Sequence, residues 1–190
     1  MASVFVVFPP GAGGNHLQNV IVSCYKDIDI SKLYGNHKNT VHAAIGSNLQ
    51  HFQVENAVVH QDQTHILHGH FGEVMSFQQQ VRNIVDKKFV ILSPDTPNDR
   101  KLLNNRRRKL GYLHNIDGDY FDGEQVFLYE PFMYHWYFQV PMDNIMNISI
   151  SEWFTHNIDS VLDRLSYFLC VSVNKEQINN MHTSWLEANK

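Results

Sequence analysis

Hydrophobic and polar positions along the chain predict strands and helices in alternation. Short apolar runs rich in β-branched and aromatic residues are typical of buried strands in a parallel sheet. Longer segments repeat apolar residues every three or four positions, which predicts helices. The predicted strands are residues 3–8, 64–71, 88–93 and 145–150. The predicted helices are residues 15–26, 74–85, 97–110, 129–139, 156–170 and 175–188, with a further one near 41–50.

This order of elements predicts a single α/β domain over residues 1–190, with three layers (α/β/α) and a mainly parallel sheet. A chain of 190 residues is long enough for one sizeable core and short for two. Residues 111–128, rich in glycine and aspartate, are predicted to form a loop. In parallel sheets ligands bind at the carboxyl ends of the strands. We therefore expect functional residues just after positions 8, 71 and 93.

Composition and charge narrow the class of protein. The chain is 43% hydrophobic and 18% charged with a net charge of -4, which gives no support to a general nucleic-acid-binding surface. Cys24 and Cys170 are far apart and belong to no CxxC pair, so we expect a reducing, cytoplasmic environment. We predict no signal peptide, because no basic segment precedes an apolar one at the N-terminus. We predict no membrane segment, because no apolar run approaches the roughly 20 residues that span a bilayer.

The segment Pro9–Leu17 (PPGAGGNHL) joins the first predicted strand to the first predicted helix. Its three glycines permit backbone conformations that side chains block, and a helix N-terminus offers N–H groups and partial positive charge. Asn15 is the expected N-cap. We therefore predict a phosphate or sulfate site, with a ligand-free turn as the alternative. The residues expected at the anion are Gly11, Ala12, Gly13, Gly14, Asn15 and His16.

A pair of histidines follows the second predicted strand, in the segment THILHGHF. If this segment is extended, His68 and His70 share one face of the sheet. A neutral imidazole can take a proton from a hydroxyl group near pH 7, so His70 is a candidate general base. The alternatives are metal binding by the two histidines and ordinary packing. We predict no metal site, because no cysteine or carboxylate cluster lies nearby in the sequence to complete one.

The glycine-rich segment resembles the loops of two families. One is the "GPPGAGKGT" loop of nucleoside monophosphate kinases, but there Phe8 stands at the first glycine, Gly14 at the lysine and His16 at the magnesium-binding hydroxyl residue. The other is the 5′-phosphosulfate loop of sulfotransferases, F-P-K-S-G-T-T-W-L, and here Pro10, Gly13 and Leu17 match. In that alignment glycines at positions 11 and 14 replace a lysine and a threonine.

The similarity to sulfotransferases continues in patches along the chain. His68–Gly72 resembles the K-T-H-L-P segment, which places His70 at the catalytic histidine and His68 at the lysine. Ser93 stands where the resemblance implies an arginine. The following helix offers Arg100 and Asn104 to the 3′-phosphate of the nucleotide, with Arg106 or Arg107 as further candidates. A solvated basic helix face is the alternative.

Three short C-terminal segments follow the sulfotransferase order of an acidic-aromatic turn, an FLGL-type phrase and a final W-x-x-x-N. They are Ser151–Phe154, Phe168–Val171 and Trp185–Asn189. Core packing is the simpler explanation of the aromatic residues in each segment. The order and spacing of the segments carry the resemblance.

The resemblance implies a small, divergent, bacterial or phage-type sulfotransferase with P-loop NTPase-like topology. Such an enzyme moves a sulfuryl group from 3′-phosphoadenosine 5′-phosphosulfate (PAPS) to a hydroxyl group of a small molecule or glycan. The missing lysine and arginine leave activity open, since one donor to a transferring oxyanion contributes roughly 100- to 1,000-fold in rate. One alternative is a non-catalytic binding or assembly module, and the other is a P-loop enzyme acting on nucleotide phosphates. The candidate interface of the module is a cluster of aromatic residues for which core packing is the simpler explanation: Phe132, Tyr134, Trp136, Tyr137 and Phe138.

Overall fold

The sheet sets the position of every candidate residue. The computed structural model describes residues 2–25, 58–59, 65–109 and 127–189. Within them, five strands form one sheet in the order β2-β3-β1-β4-β5. The strands are β1 (Ala2–Val7), β2 (Val58–Val59), β3 (His65–Gly69), β4 (Asp86–Ser93) and β5 (Ile145–Ser149). Strands β3, β1, β4 and β5 are parallel, and β2 runs antiparallel to β3. The predicted α/β class and mainly parallel sheet are confirmed.

Helices follow the strands in the predicted alternation. They are α1 (Gly14–Cys24), α2 (Phe71–Ser76), α3 (Gln78–Asn83), α4 (Pro97–Lys109), α5 (Pro131–Phe138), α6 (Ile150–Trp153), α7 (Asp159–Leu169) and α8 (Lys175–Ala188). A 3-10 turn, Met142–Asn144, leads into β5. Among the helices in the described ranges, none has the length and apolar character needed to cross a membrane.

Both faces of the sheet are covered by helices, as a three-layer α/β/α domain requires. On one face, Phe89 of β4 stacks on Phe5 of β1 and lies 5.4 and 5.3 Å from the rings of Tyr134 and Phe138 in α5. Side chains alternate between faces along a strand, so Lys88 lies on the other face, where its ammonium group donates to a carbonyl of α7. Helix α1 packs on that same face, where its first residue, Gly14, lies against the ring of Phe8.

Two predictions differ from the observed elements, and two others fall wholly or mostly outside the described residues. The predicted helix 74–85 is two short helices separated at Phe77. Helix α1 begins at Gly14 and its N-cap is Gly13, so the prediction of Asn15 as N-cap is wrong. The predicted helix near 41–50 lies outside the described residues, as does most of the predicted loop 111–128.

Candidate anion-binding site

The loop between β1 and α1 is shaped by two glycines in the left-handed region. Gly11 has φ 87° and Gly13 has φ 77°, values that residues with a side chain rarely adopt. The Gly13 carbonyl accepts hydrogen bonds from the amides of His16 and Leu17 at 3.0 and 3.1 Å. Amides that precede these two at a helix start have no intrahelical partner by position, so the start of α1 combines backbone donors with the positive end of the helix dipole.

Gly14 has no room for any side chain. A Cβ atom at this position would lie 1.8, 2.0 and 2.3 Å from three ring carbons of Phe8, far inside van der Waals contact. Phe8 is buried at the end of β1, so its ring cannot simply turn out into solvent. In the kinase-type loop the lysine stands at this position. The structure thus gives a steric reason why position 14 has no side chain.

Gly11, which the resemblance to sulfotransferases aligns with a lysine, also has little space beside its Cα atom. A Cβ atom there would lie 2.8 Å from Cγ of Arg107, whose side chain comes from α4 and is only 4% exposed. Leu103 of the same helix lies 3.8 Å from the same point. Helix α4 therefore packs directly against the loop and fills the space beside Gly11.

The side chain of Arg106 bridges the loop and the end of helix α8 by hydrogen bonds. Its Nε donates to the carbonyl of Gly11 at 3.2 Å and its Nη1 to the carbonyl of Asn189 at 3.3 Å. The guanidinium lies over the rings of Phe154 and Trp185, 4.4 and 5.3 Å from their centroids. Burial lowers the pKa of this arginine. These donors serve protein carbonyls, so Arg106 holds the loop in place.

His70 lies beside the start of the loop, and a hydrogen bond sets which ring nitrogen carries a proton. Its Nδ1 is 2.8 Å from the carbonyl oxygen of Phe8, and a carbonyl can only accept, so Nδ1 carries the proton. In the neutral ring the lone pair is then on Nε2, which is the form a general base needs. The ring is half-buried and meets the Phe8 ring edge-on at 4.9 Å.

His68 lies deeper in the protein than His70. It is buried, and its ring stacks on the Phe8 ring with centroids 5.9 Å apart. It pairs with Val6 in the sheet register, on the face that α1 covers. Phe8 therefore contacts both histidines and Gly14 together, which ties the two motifs to one place as the sequence predicts.

His16 faces the interior of the protein. It is 7% exposed, and its ring lies parallel to the indole of Trp185, with centroids 4.2 Å apart and an angle of 9° between the planes. Its Nε2 is 3.2 Å from Nδ1 of His182. Burial and, after it, the neighbouring His182 lower the pKa of His16 well below its ordinary value. Ala12 is likewise fully buried, whereas Asn15 is half-buried.

The remaining predicted residues lie on α4 and at the end of β4. Arg100 is half-buried in the first turn of α4, and Asn104 is buried one turn later. Ser93 donates to the side chain of Asn147 at 2.7 Å, and that amide donates to Asp95 at 2.8 Å. The end of β4 is thus tied to β5 by polar side chains at the position where the resemblance implies an arginine.

Sequence reasoning did not identify two residues beneath the loop, Trp153 and His182. Both are fully buried, and their rings are 4.6 Å apart. The spacing of His182 and Trp185, three residues apart in a helix, indicates one shared face and is the signal available in the sequence. Nothing local links that face to Gly13 or His16, since the separation exceeds 160 residues.

No family model, curated protein or solved structure matched the chain. Within the part of the chain that the structure describes, no group of three or more histidine, cysteine, aspartate or glutamate side chains is arranged to hold a metal ion. The two cysteines are free, with Cys24 buried and Cys170 exposed.

Proposed function

We propose that this chain is a sulfotransferase-like P-loop protein that binds PAPS at the β1–α1 loop. In this proposal His70 accepts the proton of an acceptor hydroxyl group. The observation that carries the proposal is the hydrogen bond from Nδ1 of His70 to the Phe8 carbonyl at 2.8 Å. This bond holds an imidazole beside the loop with its Nδ1 turned to the protein, and a general base contributes roughly 100- to 10,000-fold in rate.

The residues present fit the 5′ end of such a donor. A Cβ atom on any of the glycines at positions 11, 13 and 14 would meet neighbouring side chains within 2.8 Å, so the loop is built around bare backbone. Bare backbone lets amides approach an anion closely. The amides of Gly13, Gly14 and Asn15 would hold the 5′-phosphosulfate, and Arg100 the 3′-phosphate. The bound donor supplies an activated sulfuryl group.

The protein's own part in the reaction follows from this arrangement. Nε2 of His70 removes the acceptor proton while the hydroxyl oxygen becomes the nucleophile. The helix dipole of α1 and the loop amides stabilise negative charge at the transferring group. Arg106 keeps the loop in position through the Gly11 carbonyl. The acceptor would be a small molecule or a glycan with a free hydroxyl group.

A second candidate function is a non-catalytic binding or assembly module. Two observations favour it. Gly11 and Gly14, which align with the lysines of the two loop families, have no space for a side chain. Helix α5 also exposes large aromatic side chains. Phe132 is 59% exposed and Trp136 is 62% exposed, four residues apart on one helix face. Large exposed apolar patches mark interaction sites. A kinase-type enzyme is the weakest candidate, because Gly14 has no space for a lysine.

Calorimetric titration with adenosine 3′,5′-bisphosphate tests the first proposal. We expect wild-type protein to bind, Arg100→Ala to bind at least about tenfold more weakly, and His70→Ala to bind within about threefold of wild type, since the base serves the acceptor. Arg108→Ala is the matched control, because Arg108 is an exposed arginine of the same helix. No binding by wild type at millimolar ligand would reject the sulfotransferase proposal.

An activity assay distinguishes the sulfotransferase proposal from the non-catalytic module. We expect wild type to release adenosine 3′,5′-bisphosphate from PAPS in the presence of phenolic or sugar acceptors, and His70→Ala to lose about 100-fold or more of this rate. Binding without turnover across the acceptor panel would favour the non-catalytic module. Magnesium-dependent binding of ATP with no binding of the bisphosphate would favour the kinase-type alternative.

A further inference from the structure

The underside of the proposed anion loop is built by the C-terminal helix α8. A Cβ atom on Gly13 would lie 2.6 and 2.7 Å from two carbons of the Trp185 six-membered ring. The indole is half-buried and also stacks against His16, three residues further along α1. One side chain of α8 thus supports both the left-handed N-cap residue and the first turn of α1.

A directed chain of hydrogen bonds fixes the ring of His16. Nε2 of His182 is 3.0 Å from the carbonyl oxygen of Thr155, and this oxygen can only accept. His182 therefore carries its proton on Nε2, which leaves Nδ1 as the acceptor in the neutral ring. His16 must then donate from its own Nε2 across the 3.2 Å contact. With both rings neutral, these contacts set both tautomers.

The surroundings disfavour a positive charge on either ring. Burial lowers the pKa of His182 to about 4, against smaller opposing effects of the Thr155 and Trp153 carbonyls. Two charged or titratable groups in the surroundings of the pair are His156 and Arg106. The first repels a proton on His182, and the second lies over Trp185. Around neutral pH, His16 brings no charge to the loop.

We propose that Trp185 and the His16–His182 pair are positioning residues for the anion-binding loop, and that His16 acts as a neutral donor to His182 instead of contacting the anion. This inference rests on the proposed function, and it reassigns His16 from the predicted anion contacts to the support beneath them. The loop is held by residues of α8 that are more than 160 positions away in the sequence.

The first test compares Trp185 variants in the titration with adenosine 3′,5′-bisphosphate. Trp185→Leu removes the flat support of Gly13 and His16, and we expect about tenfold weaker binding or more, since small displacements of a binding group are costly. Trp185→Phe keeps a ring and should restore binding to within about threefold. Trp136→Leu, a change at an exposed tryptophan, is the control and should not alter binding. Equal affinity for Trp185→Leu and wild type, with thermal melts showing both folded, would overturn the proposal.

The second test uses the pH dependence of binding to separate a neutral donor from a cationic ligand. His16→Gln keeps an N–H donor but cannot become charged. We expect the ratio of dissociation constants at pH 8 and pH 6 to be the same in wild type and His16→Gln, because any contribution of His68 or His70 is common to both. A ratio that falls by about threefold or more in His16→Gln would show that His16 charges and binds the anion, against the proposal.

A ligand-free measurement keeps this inference distinct from the proposed function. Long-range ¹H–¹⁵N NMR spectra of the histidine rings report tautomers directly. We expect the Nε2–H form for both His16 and His182 at pH 7, and loss of the His182 signal pattern in His182→Gln. A protonated ring or an Nδ1–H tautomer at His16 would overturn the inference. Failure of wild type to bind the nucleotide, with these tautomers observed, would reject only the proposed function.

Discussion

Replacement of Gly14 by alanine follows directly from the geometry of the loop. The added Cβ atom would lie 1.8, 2.0 and 2.3 Å from three Phe8 ring carbons. Carbon atoms in contact stay about 3.5–4.0 Å apart, so the ring has to move by about 1.5–2 Å. The rings of His68 and His70 lie 5.9 and 4.9 Å from the Phe8 ring and limit that movement.

The expected loss of stability is the difference between two effects. Overpacking in a well-packed core costs about 1–3 kcal/mol, and the upper end applies because a Cβ atom cannot rotate away from the clash. Alanine in place of glycine within a helix returns about 1 kcal/mol. We therefore expect Gly14→Ala to lower the free energy of unfolding by about 2 kcal/mol, or Tm by about 4–8 °C in a chain of this size.

Urea unfolding followed by far-UV circular dichroism measures this loss. Gly72→Ala is the matched control, because Gly72 also lies in a helix but has no neighbouring atom within 4 Å of an added Cβ. We expect that variant to be as stable as wild type or more stable by up to about 1 kcal/mol. Gly14→Ala introduced with Phe8→Leu should cost less than half of its cost in wild type. A Gly14→Ala protein as stable as wild type would refute the steric explanation.

Three further substitutions or conditions test the contacts around the site. Asp99→Asn should lower the free energy of unfolding by about 1.5–3 kcal/mol, measured in urea at pH 7. The buried carboxylate of Asp99 accepts hydrogen bonds from Thr96 and from the amide of Ser151. Burial alone would raise the pKa of this carboxyl group, but the hydrogen bonds outweigh burial and lower it. His182 has a folded pKa of about 4 against 6.5 unfolded, so stability is full above pH 6.5 and should fall by up to about 3 kcal/mol as the pH drops to 4. Urea midpoints at a series of pH values, with the flatter profile of His182→Gln as comparison, measure that fall, and a stability that rises on acidification would contradict it. Arg106→Lys loses the planar fork over the aromatic rings and should destabilise by about 1–2 kcal/mol in the same assay, whereas Arg108→Lys should be neutral.

Local patterns predicted the fold well, because each strand and helix has its own periodicity. Observed strand boundaries lie within two residues of the predicted ones for the four parallel strands, and α8 has the predicted limits of 175–188. The break at Phe77 was missed, since the apolar spacing continues through it. Strand β2 is two residues long, which is too short to leave a periodic pattern.

Only the parts of the site that depend on neighbouring residues in the sequence could be predicted. The sequence predicts a glycine-rich loop and two histidines at the ends of two strands, and the structure brings them together around Phe8. Long-range packing decided the rest. The N-cap is Gly13 and not the predicted Asn15, because a glycine with positive φ fits against Trp185. His16 faces the interior, where its Nε2 contacts Nδ1 of His182. Neither contact has a signal in the neighbouring residues.

The most direct test of the central claim is an amide ¹H–¹⁵N NMR titration of labelled protein with adenosine 3′,5′-bisphosphate. This measurement reports where the nucleotide binds as well as whether it does. We predict saturable shifts that are largest for the amides of Gly13, Gly14 and Asn15, with a second set on the first turn of α4 around Arg100. Spectra unchanged at millimolar ligand, or shifts confined to residues away from the β1–α1 loop, would contradict the account.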